Sequence, residues 1–468
     1  MTWLKNLSSL LLVLFVLFLF SCRKESFTTN SAVQLTTSTD SLHFDTVFTT
    51  TGSVSQYFKI VNQNNKGIKL SSVRLAGGAA SPFKVNVDGI VGPQVNNSEV
   101  PANDSVYIYV TVSMNPTAQN LPFVVRDSIE IAYNGNTKWV QLDAFGQNAH
   151  FFRNRRITGT EVWNADLPYV ILGSMTVDTT GTLTINKGCK IYVHADAPFV
   201  INGSLRVAGE KWDSTRVIFT GDRLDDPYRD FPASYPGLIF TNSSKNNVIN
   251  YGIIKNAYQA VVVAGPSPSG PKLTVNETVI DNAYDAGLLG LNTSITARNV
   301  LISNCGKNLF LAGGAYDFKH CTVASFSTSY LQHKDPVLVL TNYITQGNTV
   351  SPYSLTASFA NCIFWGEQNG FVKEEAFVDA KTLTPSVTFN KVLWRVQTTP
   401  SFNGLTITGA SNQAPLFDSI NTTQRFFNFR LKDGSPAINA GINAGVTLDL
   451  DGKTRPIGLP DMGAYEKQ

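Results

Sequence analysis

Metal-site and nucleic-acid signatures are the first things this sequence lacks. Five cysteines occur in 468 residues, at 22, 189, 305, 321 and 362, with no Cys-x-x-Cys pair and no histidine at ligand spacing. That pattern excludes the usual structural zinc sites. Charged residues are sparse at 15%, and 37 basic side chains nearly balance 34 acidic ones. With no basic stripe interleaved with aromatics, nucleic acid is not an expected partner. A Ser-His-Asp set, an HExxH motif and a phosphate-binding Gly loop are all missing. Long Ala/Leu/Glu/Lys stretches are missing too. What is present is 43% hydrophobic residues, 35 glycines and many Asn and Thr, the composition of an all-β protein with a large core and many turns.

The one long apolar run lies at the N-terminus. Lys5 precedes eleven apolar residues, Leu10 to Phe20, followed by Ser21-Cys22. A membrane span needs about 20 apolar residues, so residues 1–21 read instead as a secretory signal. The string Leu19-Phe20-Ser21-Cys22 resembles the lipobox of bacterial lipoproteins, which implies lipidation at Cys22. The expectation is an exported protein anchored by lipid to the outer membrane, on its periplasmic or cell-surface face. Residues 22–40 are rich in Ser and Thr and read as a tether.

Two different periods follow. From 41 to 150, short alternating segments such as Tyr57-Phe58-Lys59-Ile60-Val61 and Val106-Tyr107-Ile108-Tyr109-Val110 are separated by turn residues. Seven such strands predict an immunoglobulin-like sandwich. Phe58-x-Ile60-x-Asn62 and the turn Pro101 to Ser105 resemble abnormal-spindle/hydin-like domains, and a spacer role is expected. From 157 the unit lengthens. Gly181-Thr182-Leu183-Thr184-Ile185 returns 22 residues later as Gly203-Ser204-Leu205-Arg206-Val207. Asn256, Asn282 and Asn304 close matching segments at steps of 26 and 22 residues, with a further step of 21. Units of this length, built of short strands broken by Gly and Asn, predict a single-stranded right-handed parallel β-helix over 157–430. The three asparagines then fall at one bend of successive coils. Phe318-Lys319-His320-Cys321 aligns with Phe359-Ala360-Asn361-Cys362, which predicts adjacent coils. Cys321 and Cys362 are then either stacked free thiols, the preferred reading, or a disulfide.

The C-terminus reads Ser435-Pro436-Ala437-Ile438-Asn439-Ala440-Gly441, then Asp449 to Pro456, then Asp461-Met462-Gly463-Ala464-Tyr465-Glu466. It resembles the closing segment of β-helix proteins of the "choice-of-anchor Q" type, which usually carry Asp where this chain has Asn439. Asn361 to Gly366 and Phe219 to Asp225 are similar to segments of those proteins and of Bacteroidetes surface lipoproteins. The resemblance implies fold and export, and no defined activity. Residues 431–468 are expected to cap the last coil, and Asp449, Asp451 and Asp461 are candidate Ca²⁺ ligands in an incomplete pattern.

The densest polar cluster is Asp222, Arg223, Asp225, Asp226, Tyr228, Arg229 and Asp230, on a loop from an early coil. It is a candidate ligand-binding loop, with internal salt bridging as its bland alternative. Lys255, Asp281, Arg298, Lys319 and His320 read as solvent-facing residues at strand ends, Arg298 and Lys319 one coil apart. The expected function is a lipid-anchored monomer that binds polysaccharide or another surface partner without catalysis. The alternatives are a polysaccharide lyase or glycosidase on the same scaffold, and an adhesin-like spacer. A binder is expected to align exposed aromatics such as Trp212, Tyr228 and Tyr235 along a groove.

Overall fold

The computed structural model describes residues 26–49, 52–115 and 123–468. The signal, its lipobox and Cys22 lie outside them. The chain forms two compact units, one ending at Asn148 and the other running from Ala149 to Gln468. Among the described residues no helix is long and apolar enough to cross a membrane.

The first unit is a β-sandwich. A six-stranded sheet carries the order 27–28, 67–75, 123–133, 136–147 and 41–48, with 94–100 also on 67–75. A five-stranded sheet carries 36–37, 56–62, 104–112, 83–87 and 90–91. Alternation drives the assembly: Phe58, Ile60, Ile108 and Val110 face inward and are fully buried, while Tyr57, Tyr107 and Tyr109 face out. The stretch expected as a tether is structured in its later part. Phe27–Thr28 and Thr36–Thr37 each pair with a strand, and Leu35 is buried.

The second unit is a parallel β-helix of 25 strands in one continuous sheet. Three faces alternate along the chain. The first face stacks 182–186, 204–208, 247–250, 273–276 and onward to 405–408. The second stacks 190–193, 217–221, 252–255, 279–281, 301–303, 322–325, 363–366 and 393–394. The third stacks 199–201, 238–240, 259–264 and onward to 376–379. Thr182 pairs with Ser204, so the 22-residue repeat is one coil. Inward side chains fill the axis, for example the stack Phe318–Phe359–Phe389 with ring centroids 5.6 and 5.0 Å apart. Fully burying each such ring contributes roughly 1.5–3 kcal/mol.

Two bends turn on left-handed residues. Between the first and second faces these are Tyr251, Glu277, Asn299, His320, Asn361 and Lys391, with φ from 46° to 55°. Between the second and third faces they are Asn256, Asn282 and Asn304, with φ of 66°, 55° and 50°. One left-handed residue between two extended ones makes a corner, and asparagine tolerates it best. Thr322 pairs with Ile363, which puts Cys321 and Cys362 on adjacent coils, both buried and free.

The C-terminal segment differs from the expected cap. Instead of lying over the last coil it runs back along the outward side of the second face. There Leu431, Ala437, Leu450, Met462 and Ala464 bury Leu301, Ala324, Ile363 and Leu393. The reason is that this face presents apolar side chains outward as well as inward, and leaving them exposed is unfavourable. The segment is pinned along its length. Gly463 N donates to Asn361 O at 2.8 Å, Asn299 Nδ2 to Leu448 O at 2.7 Å, and Arg216 Nη2 to Leu450 O at 2.6 Å.

Candidate functional site

Excursions from the coils concentrate at the corner between the second and third faces. Residues 222–237 connect Gly221 to Leu238, and residues 326–337 connect Ser325 to Leu338. A hairpin, Phe417–Asn421 and Phe426–Leu431, adds a third wall. The three meet through side chains. Phe231 packs edge-on against Tyr330 at 4.8 Å, and the Arg425 guanidinium lies 4.3 Å over the Tyr330 ring and 3.3 Å from Asp230.

Under this rim lies a cleft of about 180 Å³ whose floor is the coil corner itself, with Lys255, Asn256, Asp281, Asn282 and Asn304, and whose walls include Asp230, Thr328, Gln424 and Arg425. Enclosed small-molecule pockets run roughly 300–1,000 Å³, and this cleft is smaller and open to solvent. The asparagines build it. Asn282 Nδ2 donates to Asn256 Oδ1 at 2.8 Å and to Asp230 O at 2.9 Å, and Asn256 Nδ2 donates to Arg229 O at 2.8 Å. They therefore brace the coils and hold the loop that delivers Asp230.

Asp281 is the most perturbed group here. Burial holds its carboxyl above the usual carboxylate range, against the opposing pull of the Ser303 hydroxyl, the Lys255 ammonium and Asn304. Its Oδ1 accepts Ser303 Oγ at 2.6 Å. Two residues beyond Asn256 and Asn282, Tyr258 and Tyr284 stack one coil apart with centroids 5.7 Å apart and an angle of 22°, at 46% and 51% exposure. The coil above carries Gly306 at the same register, where Gly306 N donates to Ala283 O. Among the described residues the ring stack consists of these two tyrosines.

The expected loop contributes less than its charge density suggests. Of its seven candidate residues only Asp230 lines the cleft. Asp222 pairs with His194, Arg223 clasps Asp225 through two hydrogen bonds and lies over Tyr228, and Arg229 pairs with Asp226 and Asp230. Adjacent opposite charges on one short loop satisfy each other. The three expected aromatics share no groove: Tyr235 is buried in the core, and Trp212 sits on the bend before the second face, with Lys211 over its ring. Arg298 and Lys319 are one coil apart, but each has its own acid, Glu277 and Asp317. His320, expected at the surface, is buried beneath the C-terminal segment.

The three aspartates of the C-terminus do not form a Ca²⁺ site. Asp449 accepts the backbone amides of Lys453 and Glu466, Asp461 those of Asn439 and Lys467, and Asp451 is clasped by Arg430. Each carboxylate is committed to a turn or an ion pair. Among the described residues no group of three His, Cys, Asp or Glu is placed to hold a metal ion.

Lys255 and Asp281 belong to the site although their sequence context reads as surface. The repeated string that carries them, Ile-Ile-Lys-Asn-Ala-Tyr and Val-Ile-Asp-Asn-Ala-Tyr, also repeats the exposed tyrosine, and that repetition was the available signal. Arg425 carries none, because the hairpin reaches the cleft from 195 residues beyond Asp230.

No protein-family model matches the chain, and no curated protein does. Among solved structures, pectate lyase Pel9A is similar over 65% of this chain and 89% of its own, at 14% identity and a TM-score of 0.27. The catalytic unit of the thermostable GH87 alpha-1,3-glucanase from Streptomyces thermodiastaticus strain HF3-3 is similar over 76% of this chain and 89% of its own, at 10% identity and a TM-score of 0.20. A family 123 glycoside hydrolase from Clostridium perfringens is similar over 27% of this chain at 9% identity and a TM-score of 0.19, and the chain spans 26% of that enzyme's length. The fold described above rests on the strand ladders themselves.

Proposed function

We propose that this protein binds polysaccharide along the corner between the second and third faces, as an exported protein anchored to the outer membrane through lipidated Cys22. The observation that carries the binding reading is the exposed Tyr258–Tyr284 stack, two residues along the chain from the asparagines that floor the cleft. Sugar rings offer C–H faces that pack on aromatic rings and hydroxyls that hydrogen-bond to amides and charged groups. Tyrosine supplies a large apolar face for such packing and a hydroxyl that hydrogen-bonds.

The test is affinity electrophoresis of the chain from Ser26 to Gln468 in gels containing polygalacturonate, alginate, chondroitin or dextran. Retardation by at least one polymer is expected, with Kd weakened about tenfold in Tyr258→Ala/Tyr284→Ala. Absence of retardation by every polymer, or equal retardation of the variant, sinks the reading. The anchor is tested separately, by incorporation of labelled palmitate that Cys22→Ala abolishes.

A second reading, cleavage of the bound chain, is favoured by Asp281, a carboxyl whose pKa is raised by burial inside the cleft. New absorbance near 232 nm from unsaturated product, or reducing ends released from the same polymers and lost in Asp281→Asn, would establish it.

A further inference from the structure

The first unit carries an aromatic face of its own. On the five-stranded sheet Tyr57 stands opposite Tyr109 and Lys59 opposite Tyr107. The three rings form one cluster with centroid separations of 5.4, 5.8 and 5.9 Å, and Tyr107 and Tyr109 lie within 14° of parallel. They are 54%, 37% and 41% exposed. Single exposed aromatics are ordinary on a protein surface, but a contiguous cluster calls for an occupant. Cross-strand aromatic pairing stabilises a sheet by roughly 0.2–1 kcal/mol per pair, which one pair achieves without leaving three rings half in water.

Charge selects the occupant. The Lys59 ammonium lies 4.6 Å from the Tyr107 ring centroid, and Lys84 is exposed on the neighbouring strand, where Asn86 stands opposite Tyr109. Among the described residues neither lysine is in an ion pair, and the acids at the margin are exposed Asp104 at the end of strand 104–112 and exposed Asp88, whose N–H donates to Tyr107 O just past strand 83–87. The centre of the face is aromatic, with the unpaired Lys59 over one of its rings and Lys84 beside it. A flat sheet surface offers no enclosure for a small ligand but lies well against an extended polymer. Its ring spacings are comparable to the repeat of a sugar in such a chain.

We propose that the Tyr57–Tyr107–Tyr109 face, with Lys59 and Lys84, is a second saccharide-binding surface, specific for an anionic polysaccharide and independent of the cleft in the β-helix. Tyrosine rings stack on the pyranose faces, and the two ammonium groups meet carboxylates or sulfates.

The experiment uses the Ser26–Gln468 chain in the cleft-defective Tyr258→Ala/Tyr284→Ala background, with gels containing polygalacturonate, dextran sulfate or neutral dextran. Retardation by an anionic polymer is expected to persist in that background. Adding Tyr57→Ser/Tyr107→Ser/Tyr109→Ser removes it, with at least a tenfold loss in Kd. The triple Phe variant keeps the rings and most of the binding, and so separates stacking from any loss of sheet stability. Lys59→Gln/Lys84→Gln lowers affinity several-fold and flattens its salt dependence. The proposal is overturned if the cleft-defective protein is not retarded by either anionic polymer, if the serine variant is retarded equally, or if neutral dextran serves as well. Should the cleft variant alone bind as tightly as the wild type while the serine variant does not, the cleft reading falls and this one stands.

Discussion

The two bends of the β-helix use one backbone device and meet opposite fates. At the first-to-second bend the left-handed Asn299, His320 and Asn361 are roofed by the chain's C-terminal segment. Asn361 Nδ2 donates to Ile442 O at 2.7 Å while its Oδ1 accepts Ile442 N at 2.9 Å, and His320 accepts from Arg455. At the second-to-third bend, Asn256, Asn282 and Asn304 floor a cleft open to solvent. The first-to-second bend holds Tyr, Glu, His and Lys as well as asparagine in a conformation that costs roughly 1–2 kcal/mol for such residues. The second-to-third bend uses asparagine, each amide bonded to a neighbouring coil or loop. Residue identity varies along the first bend, and asparagine recurs along the second.

Substitutions on either side break or sharpen that contrast. The largest effect is expected at Arg455, which burial pulls down to about 10 and which pairs with Glu466 at 3.2 Å with neither side chain exposed. Arg455→Ala leaves a buried carboxylate alone and is expected to cost about 3–5 kcal/mol in urea unfolding. Next comes Asn361→Ala, at about 2–3 kcal/mol, since it strands His320 and the Ile442 backbone in a buried setting. Asn282→Ala on the open bend is expected to cost about 1 kcal/mol less than that, because water replaces part of what is lost. Equal costs at 361 and 282 would show that the roof contributes nothing to its bend.

The smallest effect is one of pH. The folded-state pKa of Asp281 lies above its ordinary 3.8, so ionised Asp281 lowers stability at neutral pH. That penalty is relieved as the pH falls through the folded value toward 3.8. Asp281→Asn keeps the acceptor for Ser303 and removes the titration. The stability difference between variant and wild type is therefore expected to favour the variant at pH 7 and to shrink on acidification. A difference independent of pH would place the proton elsewhere.

How much of this was legible depended on whether a feature repeated. Asn256, Asn282 and Asn304 share their neighbours, and Phe318 and Phe359 precede the two thiols by the same three residues, so both registers could be read. The other left-handed ladder repeats a conformation across five residue types, with asparagine only at 299 and 361, which leaves little trace in the sequence. The charged loop at 222–230 drew notice through local density, yet density is what lets Arg223 and Asp225 satisfy each other. Tyr235, read as an exposed aromatic, is core. The site itself needed the hairpin carrying Arg425, and only the folded chain brings that hairpin to Asp230.

The returning C-terminal segment also changes how the solenoid comes apart. Stacked coils that touch only their neighbours unravel from either end, one after another. Here Arg216 is bonded to Leu450, 234 residues away, and the same segment grips the coils in between. The coil of Arg216 therefore cannot peel off without releasing a segment that also holds the coils of Asn299 and Asn361, so the array from Arg216 onward should melt as a single cooperative block.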